Sequence, residues 1–349
     1  MTPRSQPTFR QSRRSFCCRT AAVLGFPFIG RASDAAPILG QGDFRYRVVP
    51  GWGDLGESTP VENCHGIVCD KEGHLILFTD QVKNNVIVYD DRGRLVHKWG
   101  TQFPGAHGLS LVTEGGREVL YFTDLKRHKV FKATPSGEML AEWGWPESTG
   151  KYEREDEYRP SWTLHQPDGG FFVLDGYGKD YITQYGADGK FVKIFGGSEG
   201  GIVHWGPHGG MLDQQPSTDP TLLIAMSDQQ SLWRLNLEGK KLEETPMPGG
   251  NPRQIRLHEG KYFLAHLADN WPKDQASRGF VSVLDDKLRV ISNIAGTAPQ
   301  YDDQGKLQPM RHAEDVFIHP HDLTVGKDGS LYVAQFASNK TFPIKLERV

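Results

Sequence analysis

Apolar and polar residues alternate along most of the chain in short runs, with the period of two that is typical of β-strands. The stretches NVIVYD (85–90) and KVFKAT (129–134) show this alternation, and turns of the D-G, S-G or E-G type separate such runs. The same order of four strands recurs in six segments. These segments begin at residues 65, 107, 161, 208, 253 and 321. Four antiparallel strands repeated at such intervals predict an all-β fold, a six-bladed β-propeller.

The sixth segment is short and holds only three strands. The stretch FRYRVVPGWG (44–53) precedes the first segment and ends in the Trp-Gly pair that also closes other segments. We therefore expect this N-terminal stretch to supply the fourth strand of blade six and to close the ring. Closure would bury sheet edges that would otherwise be exposed.

Composition supports this fold and excludes one class of partner. The chain has 349 residues, a formal net charge of −3, 40 glycines, 22 prolines, 18 Phe, 11 Tyr and 8 Trp. Turn formers and aromatics in this proportion favour many short strands. No basic face is evident, so nucleic acid is not an expected partner. We expect one propeller domain over residues 37–349 that acts as a monomer.

The first 36 residues have a different character. Two arginines in SRRSFCC (12–18) precede the apolar run AAVLGFPFIG (21–30), and small residues follow. This pattern is typical of a twin-arginine signal peptide over residues 1–36, cleaved near Ala35. The apolar run is too short to span a bilayer. We therefore expect an exported protein, periplasmic or extracellular, with no stable membrane insertion after cleavage; a disordered basic leader is the alternative.

Histidine recurs at one position of the repeat. The residues that open the first strands of the six blades are His65, His107, Ser161, His208, Arg253 and His321. The innermost strands of a propeller line its central channel, so these side chains are expected at one height around the axis. Four of the six are histidine, in a chain that has only 13 histidines.

Three of these histidines, His107, His208 and His321, come from alternate blades. Alternate blades of a six-fold ring are about 120° apart, so the three imidazoles would converge on the axis. Three histidines with an open fourth position are the ligand set of a catalytic zinc ion. The alternative is that they are channel histidines hydrogen-bonded to water or backbone.

Longer stretches of the chain resemble one known family. These stretches are AHGLSLVTEGGREVLYFTD (106–124), RPSWTLHQPDGGFFVLDGYGKDYITQYGADGKF (159–191), GPHGG (206–210) and HPHDLTVGKDGSLYV (319–333). They are similar to the NHL-repeat propellers of the peptidyl-α-hydroxyglycine α-amidating lyases, and the similarity covers most of residues 60–345. The resemblance implies a channel zinc ion whose three histidine ligands match His107, His208 and His321.

The resemblance also implies a structural calcium ion in the channel. Its ligands would be the backbone carbonyls of Ile67 and Leu109 and the carboxylate of Asp322, and such hard oxygen ligands suit calcium. The family's catalytic tyrosine matches Tyr177, which is expected to act as a phenolate-like general base. The implied reaction cleaves a carbinolamide into a peptide amide and glyoxylate, with zinc polarising the hydroxyl or carboxylate oxygens of the substrate.

The sequence departs from the family at two arginines. Asp80 and Gln229 stand where the family places arginine, after the second strands of blades one and four. A glyoxylate-like carboxylate would lose its bidentate partner there. Arg253, at the opening of blade five, is our catalytic candidate for replacing the lost charge, and Lys83 is a second candidate.

His65 is a further departure, because it adds a histidine to the channel. It could be a fourth metal ligand, a proton carrier or a satisfied structural residue. His319 is a supporting candidate near His321, since Pro320 favours an extended chain between the two. Recurring aspartates that end second strands are expected to bond turn amides. These are Asp80, Asp124, Asp175 and Asp228.

These features predict an exported, metal-dependent, lyase-like propeller enzyme that acts on a small polar or peptide-derived substrate at the channel mouth. The insertion LADNWPKDQASRG (267–279) is a candidate lid over that mouth, or else a plain surface loop. The alternative function is a non-catalytic NHL-repeat propeller that binds a protein or glycan ligand and holds a structural metal. Exposed aromatics on one face would favour that alternative.

Overall fold

Six four-stranded antiparallel sheets make up the fold, as the sequence predicts. The computed structural model of the chain describes residues 37–200, 204–214, 219–269, 276–336 and 340–349. The predicted signal peptide, residues 1–36, lies outside the described residues. No helix in these described ranges is long and apolar enough to cross a membrane.

The first three blades each consist of four consecutive strands, counted outward from the channel. Blade one contains Cys64–Cys69 (β2), Leu75–Thr79 (β3), Val86–Tyr89 (β4) and Leu95–Trp99 (β5). Blade two contains Ala106–Glu114 (β6), Arg117–Asp124 (β7), Lys129–Ala133 (β8) and Met139–Trp143 (β9). Blade three contains Trp162–His165 (β10), Phe171–Leu174 (β11), Tyr181–Tyr185 (β12) and Phe191–Gly196 (β13).

Blades four and five repeat the same order, and blade six draws its outermost strand from the N-terminal side. Blade four contains Pro207–Asp213 (β14), Thr221–Met226 (β15), Ser231–Leu235 (β16) and Lys241–Pro246 (β17). Blade five contains Pro252–His258 (β18), Lys261–His266 (β19), Phe280–Leu284 (β20) and Val290–Ile294 (β21). Blade six contains Pro320–Val325 (β22), Leu331–Gln335 (β23), Ile344–Arg348 (β24) and Tyr46–Val49 (β1). Within the described ranges, three 3-10 helices lie in the connections: Glu147–Thr149, Glu155–Glu157 and Gly197–Gly200.

The predicted closure of the ring by the N-terminal stretch is confirmed. Strand β1 pairs antiparallel with β24, with Tyr46 opposite Arg348 and Val49 opposite Lys345. The innermost strands contact one another in the cyclic order β2, β6, β10, β14, β18, β22 and back to β2. The ring is therefore closed by hydrogen bonds within blade six, and every blade contacts two neighbours.

Apolar side chains fill the spaces between neighbouring blades. Between blades one and two, for example, Phe78 packs with Phe103, Phe122 and Phe131, all buried. The Phe103 and Phe122 ring centroids lie 4.9 Å apart in an edge-to-face arrangement. Each such ring contributes about 2–3 kcal/mol by burial alone. This packing explains why the second and third strands of blade one, β3 and β4, are buried on both faces.

Candidate metal centre

A β-bulge turns the opening residue of five blades into the channel. In each of these blades the register between the two innermost strands shifts by one residue where the opening residue stands. The residues at these bulges are His65, His107, His208, Arg253 and His321. A bulged residue has no partner across the ladder and its side chain is re-aimed. In blade three β10 pairs with β11 without a shift, and Ser161 precedes the strand.

The three alternate-blade histidines share one hydrogen-bonding pattern. Each ring donates its Nδ1–H to the backbone carbonyl of the residue that opens the next blade. The three bonds join His107 to Ser161 (2.9 Å), His208 to Arg253 (3.2 Å) and His321 to His65 (2.8 Å). A carbonyl can only accept, so Nδ1 carries the proton and the neutral ring has its lone pair on Nε2. This outer hydrogen bond is what metal-binding histidines commonly make.

The same three rings lie close together in the channel. Their ring centroids are separated by 4.9 Å (His107 to His208), 4.7 Å (His107 to His321) and 4.6 Å (His208 to His321). All three are buried, and the Nε2 atoms of His107 and His208 have no hydrogen-bond partner. Burial, as the largest cause, lowers the pKa of each ring well below its usual value. Neutral imidazoles with unpartnered buried nitrogens fit a transition metal such as zinc.

Glycine follows two of these histidines for a steric reason. A Cβ at Gly108 would lie 2.4 Å from the carbonyl oxygen of Ser161, and a Cβ at Gly209 would lie 2.4 Å from that of Arg253. These are the carbonyls that accept from His107 and His208. The His-Gly pairs of the sequence therefore allow the next blade to approach closely enough to orient the imidazole.

His65 adds a fourth imidazole to the cluster. Its ring centroid lies 4.9 Å from that of His107 and 4.8 Å from that of His321. One ligand nitrogen from each of these three residues lies within 4.8 Å of the others. Its Nδ1 is buried without a partner, and burial, with a smaller effect from Arg253, lowers the pKa of His65 to about 3. The buried unpartnered nitrogen leaves His65 available as a metal ligand, and its role as ligand, proton carrier or structural residue stays a prediction.

Tyr177 and Arg253 lie beside the histidines. The phenol oxygen of Tyr177 accepts a hydrogen bond from Nη1 of Arg253 at 3.3 Å, and its ring centroid is 5.0 Å from that of His107. Burial raises the pKa of Tyr177, and the charge of Arg253 opposes that shift. The general-base role of Tyr177 stays a prediction, and the guanidinium beside it favours the phenolate that this role needs.

Arg253 is buried, and within the described ranges no carboxylate pairs with it. Its Nε has no hydrogen-bond partner. It lines a cavity of about 310 Å³ together with Tyr177, His208 and His321. A buried guanidinium that forms no ion pair within the described ranges is a candidate partner for an anionic group in this cavity.

Two cavity residues were not expected from the sequence. His204 lies 2.6 Å from a carboxylate oxygen of Asp180 through Nδ1 and 2.5 Å from one of Asp228 through Nε2. Asp228 lines the cavity, whereas the sequence grouped it with structural aspartates. Asp80 does bond a turn amide, accepting from the N–H and side chain of Asn63. The position of His204 shortly before His208, which opens blade four, was the sequence feature that could have indicated its place at the cavity.

Other predicted residues lie away from the cavity. Lys83 is exposed and is not among the residues that line it. The amide of Gln229 donates to the carbonyl of His204 at 2.8 Å. His319 contacts the carbonyl of Ser277 through Nε2 at 3.0 Å, which fits a supporting role. Leu267 lines the cavity, but residues 270–275 of the candidate lid lie outside the described residues.

The residues expected to bind calcium contact one another, but a guanidinium lies among them. Nη2 of Arg256 donates to the carbonyl of Leu109 at 3.2 Å and to Oδ2 of Asp322 at 2.7 Å. The backbone N–H of Ile67 donates to the same Oδ2 at 2.9 Å. The arrangement does not fit a calcium ion, because a cationic side chain already engages two of the three expected ligands.

Comparison with known proteins supports the fold. No protein-family model matches the chain, and no curated protein matches it in sequence. A streptogramin B lyase structure is 17% identical with a TM-score of 0.54, covering 83% of this chain and 95% of that one. A catalytically inactive virginiamycin B lyase from Staphylococcus aureus with quinupristin is 12% identical with a TM-score of 0.53, covering 90% and 100%. A Bacteroides thetaiotaomicron protein of unknown function is 11% identical with a TM-score of 0.57, covering 84% and 71%. At these identities the likeness shows a β-propeller and no more.

Proposed function

We propose that this chain is an exported, metal-dependent, lyase-like enzyme. One observation carries the proposal: three buried imidazoles from alternate blades, each tied through Nδ1 to a carbonyl of the next blade. Three nitrogen ligands with room for a substrate are the arrangement of catalytic zinc sites. The resemblance to the amidating lyases supports zinc and a small polar or peptide-derived substrate.

The residues around the cluster have separate roles in this proposal. His107, His208 and His321 hold the metal, and His65 is a further ligand. Zinc bound there supplies a positive charge that polarises a substrate oxygen and lowers the pKa of nearby acids. Arg253 binds an anionic group of the substrate, because its charge is buried and has no carboxylate partner in the described ranges.

Tyr177 moves the proton in the implied reaction. The hydroxyl of the carbinolamide loses its proton, its carbon becomes the carbonyl of glyoxylate, the C–N bond breaks, and the amide nitrogen gains a proton. In this role Tyr177 would take the hydroxyl proton as a phenolate and return it to the amide nitrogen. To act as base it must first lose its own proton, which the positive charge of Arg253 favours.

Metal content is the first test. Purified mature protein is expected to hold about one equivalent of zinc or another transition metal per chain. The variants His107→Ala, His208→Ala and His321→Ala are each expected to lose it. The control His165→Gln removes a half-buried histidine outside the cluster and is expected to retain the metal. Wild-type protein that binds no transition metal would refute the enzyme proposal.

Release of glyoxylate from a peptidyl-α-hydroxyglycine is the second test. Metal-loaded wild-type protein is expected to release it, and Tyr177→Phe is expected to be impaired while keeping its metal. Bound metal without glyoxylate release would favour the non-catalytic alternative. The described ranges do not favour that alternative in advance, because Phe191 is their one exposed large aromatic.

Export is a separate part of the proposal. The twin arginines Arg13 and Arg14 are expected to direct folded protein across the membrane. Fractionation of expressing bacteria should place a shortened chain outside the cytoplasm, with an N-terminus near Ala36. Replacing both arginines with lysine should leave the full-length chain inside the cell, and export that survives this change would refute the twin-arginine route.

A further inference from the structure

Arg256 and its partner Asp322 together connect five blades at a level of the channel separate from the histidine cluster. It lies on β18, three residues after Arg253. In a regular strand, residues three apart lie on opposite sides. The bulge between Pro252 and Ile255 adds one residue to β18, so Arg253 and Arg256 do not follow this rule. Arg253 can therefore face the cavity while Arg256 reaches into the middle of the ring.

Four oxygen atoms surround the Arg256 guanidinium. Nε donates to Oδ1 of Asp322 at 3.1 Å and to the carbonyl of Leu323 at 3.3 Å. Nη2 donates to Oδ2 of Asp322 at 2.7 Å and to the carbonyl of Leu109 at 3.2 Å. The guanidinium carbon lies 5.6 Å from the ring centroid of Trp162. These contacts connect blade five with blades two, three and six.

Asp322 extends the connection to blade one. Its carboxylate is fully buried, accepts from the N–H of Ile67 at 2.9 Å and from its neighbour Leu323 at 2.8 Å, and forms an ion pair with Arg256. A buried carboxylate needs a cation, and carboxylate plus carbonyl oxygens are the ligands that calcium prefers. Either a divalent ion or a guanidinium can therefore neutralise the buried carboxylate of Asp322.

We propose that Arg256 is an internal cation that takes the place of a divalent ion, so that the ring is held at this level without calcium. The four oxygens form a cation site that calcium can enter only when the guanidinium is removed. The bidentate fork of arginine matches the carboxylate and has no need of the six or more oxygen ligands that calcium requires.

Thermal unfolding with calcium or with a calcium chelator tests this proposal. The midpoint of the wild-type protein is expected to change by less than about 1 °C between chelator and millimolar calcium. Arg256→Ala in chelator is expected to unfold about 5–10 °C lower, since it leaves a buried carboxylate unpaired. Millimolar calcium is expected to restore at least half of that loss.

Arg234→Ala is the matched control. Arg234 forms an ion pair with Oδ2 of the buried Asp213 carboxylate, 2.5 Å away, and the hydroxyl of Tyr262 donates to the same oxygen at 2.9 Å. This pair lies in blade four, away from the four oxygen atoms that surround Arg256. Its loss is expected to lower the midpoint similarly, but calcium is not expected to restore it.

Two results would overturn the proposal: saturable stabilisation of the wild-type protein by calcium, or folded Arg256→Ala protein that calcium does not stabilise. If Arg256→Ala does not fold in chelator, its refolding yield with and without calcium gives the same answer. The double variant Arg256→Ala with Asp322→Asn removes both charges, and calcium is not expected to change its midpoint of thermal unfolding. Histidine nitrogens are poor calcium ligands, so failure here leaves the proposed transition-metal site intact.

Discussion

Replacing Gly108 with alanine should weaken metal binding at the proposed centre, although none of the proposed ligand residues is changed. The new Cβ would lie 2.4 Å from the carbonyl oxygen of Ser161. Because these two atoms have to be at least 3.0 Å apart, the oxygen has to move by about 0.6 Å. The same oxygen accepts from Nδ1 of His107 at 2.9 Å and from the hydroxyl of Thr123 at 3.2 Å. A shift of that size stretches the imidazole bond towards the limit of a hydrogen bond.

Gly108→Ala is expected to lower two quantities, the free energy of unfolding and the affinity for the metal. Overpacking in a well-packed region costs about 1–3 kcal/mol of the free energy of unfolding, which corresponds to a midpoint lower by a few degrees. Losing an outer hydrogen bond of a metal-binding histidine lowers metal affinity by about 10–100-fold. Competition of the folded protein with a chromophoric chelator for zinc measures the second effect directly.

Gly144→Ala is the control for this experiment. No atom lies within 4 Å of a Cβ placed at Gly144, and its φ lies outside the left-handed region. This variant should keep both wild-type stability and wild-type metal affinity. Folded Gly108→Ala protein that binds zinc as tightly as the wild-type protein would refute the role assigned to the carbonyl of Ser161.

Three further predictions concern other parts of the chain. Burial lowers the pKa of His266 to about 3; because the unfolded value is about 6.5, the contribution of His266 to stability should be intact above pH 6.5 and fall by at most about 5 kcal/mol towards pH 3. His266→Gln should flatten this decline in acid denaturation curves, and an unchanged decline would contradict the assignment. Arg253→Ala should weaken binding of anionic ligands to the metal-loaded protein in calorimetry, and unchanged binding would remove the role proposed for it. Phe103→Ala should lower the free energy of unfolding by about 3–5 kcal/mol in denaturant titrations, whereas a loss below about 1 kcal/mol would contradict the packing described between blades one and two.

The repeat pattern was sufficient to predict the ring. Period-two alternation and regular turn residues identify strands, and six repeats of four strands leave few arrangements other than a propeller. Strand β1 could be assigned to blade six because one repeat lacked a strand. The channel position of His107, His208 and His321 followed from their equivalent places in the repeat.

The details of the channel could not be predicted in the same way. A β-bulge is one extra residue in one strand, and alternation in a single sequence does not show which residue is extra. Arg256 resembles any charged residue in the run RQIRL, since its partners Leu109 and Asp322 lie in other blades. Asp228 follows the pattern of the structural aspartates, and only the folded chain places it in the cavity.

The channel contains several groups that folding alone does not favour. Imidazole nitrogens of His65, His107 and His208 are buried without partners, and Arg253 is a buried cation without a paired carboxylate in the described ranges. An unpartnered buried polar group costs about 1–3 kcal/mol, and aromatic packing between blades supplies stability of a similar size per ring. Arg256, by contrast, forms an ion pair with the buried carboxylate of Asp322. The contrast distinguishes a level of the channel where cation and carboxylate are paired from a level where we propose that a metal and an anionic ligand bind.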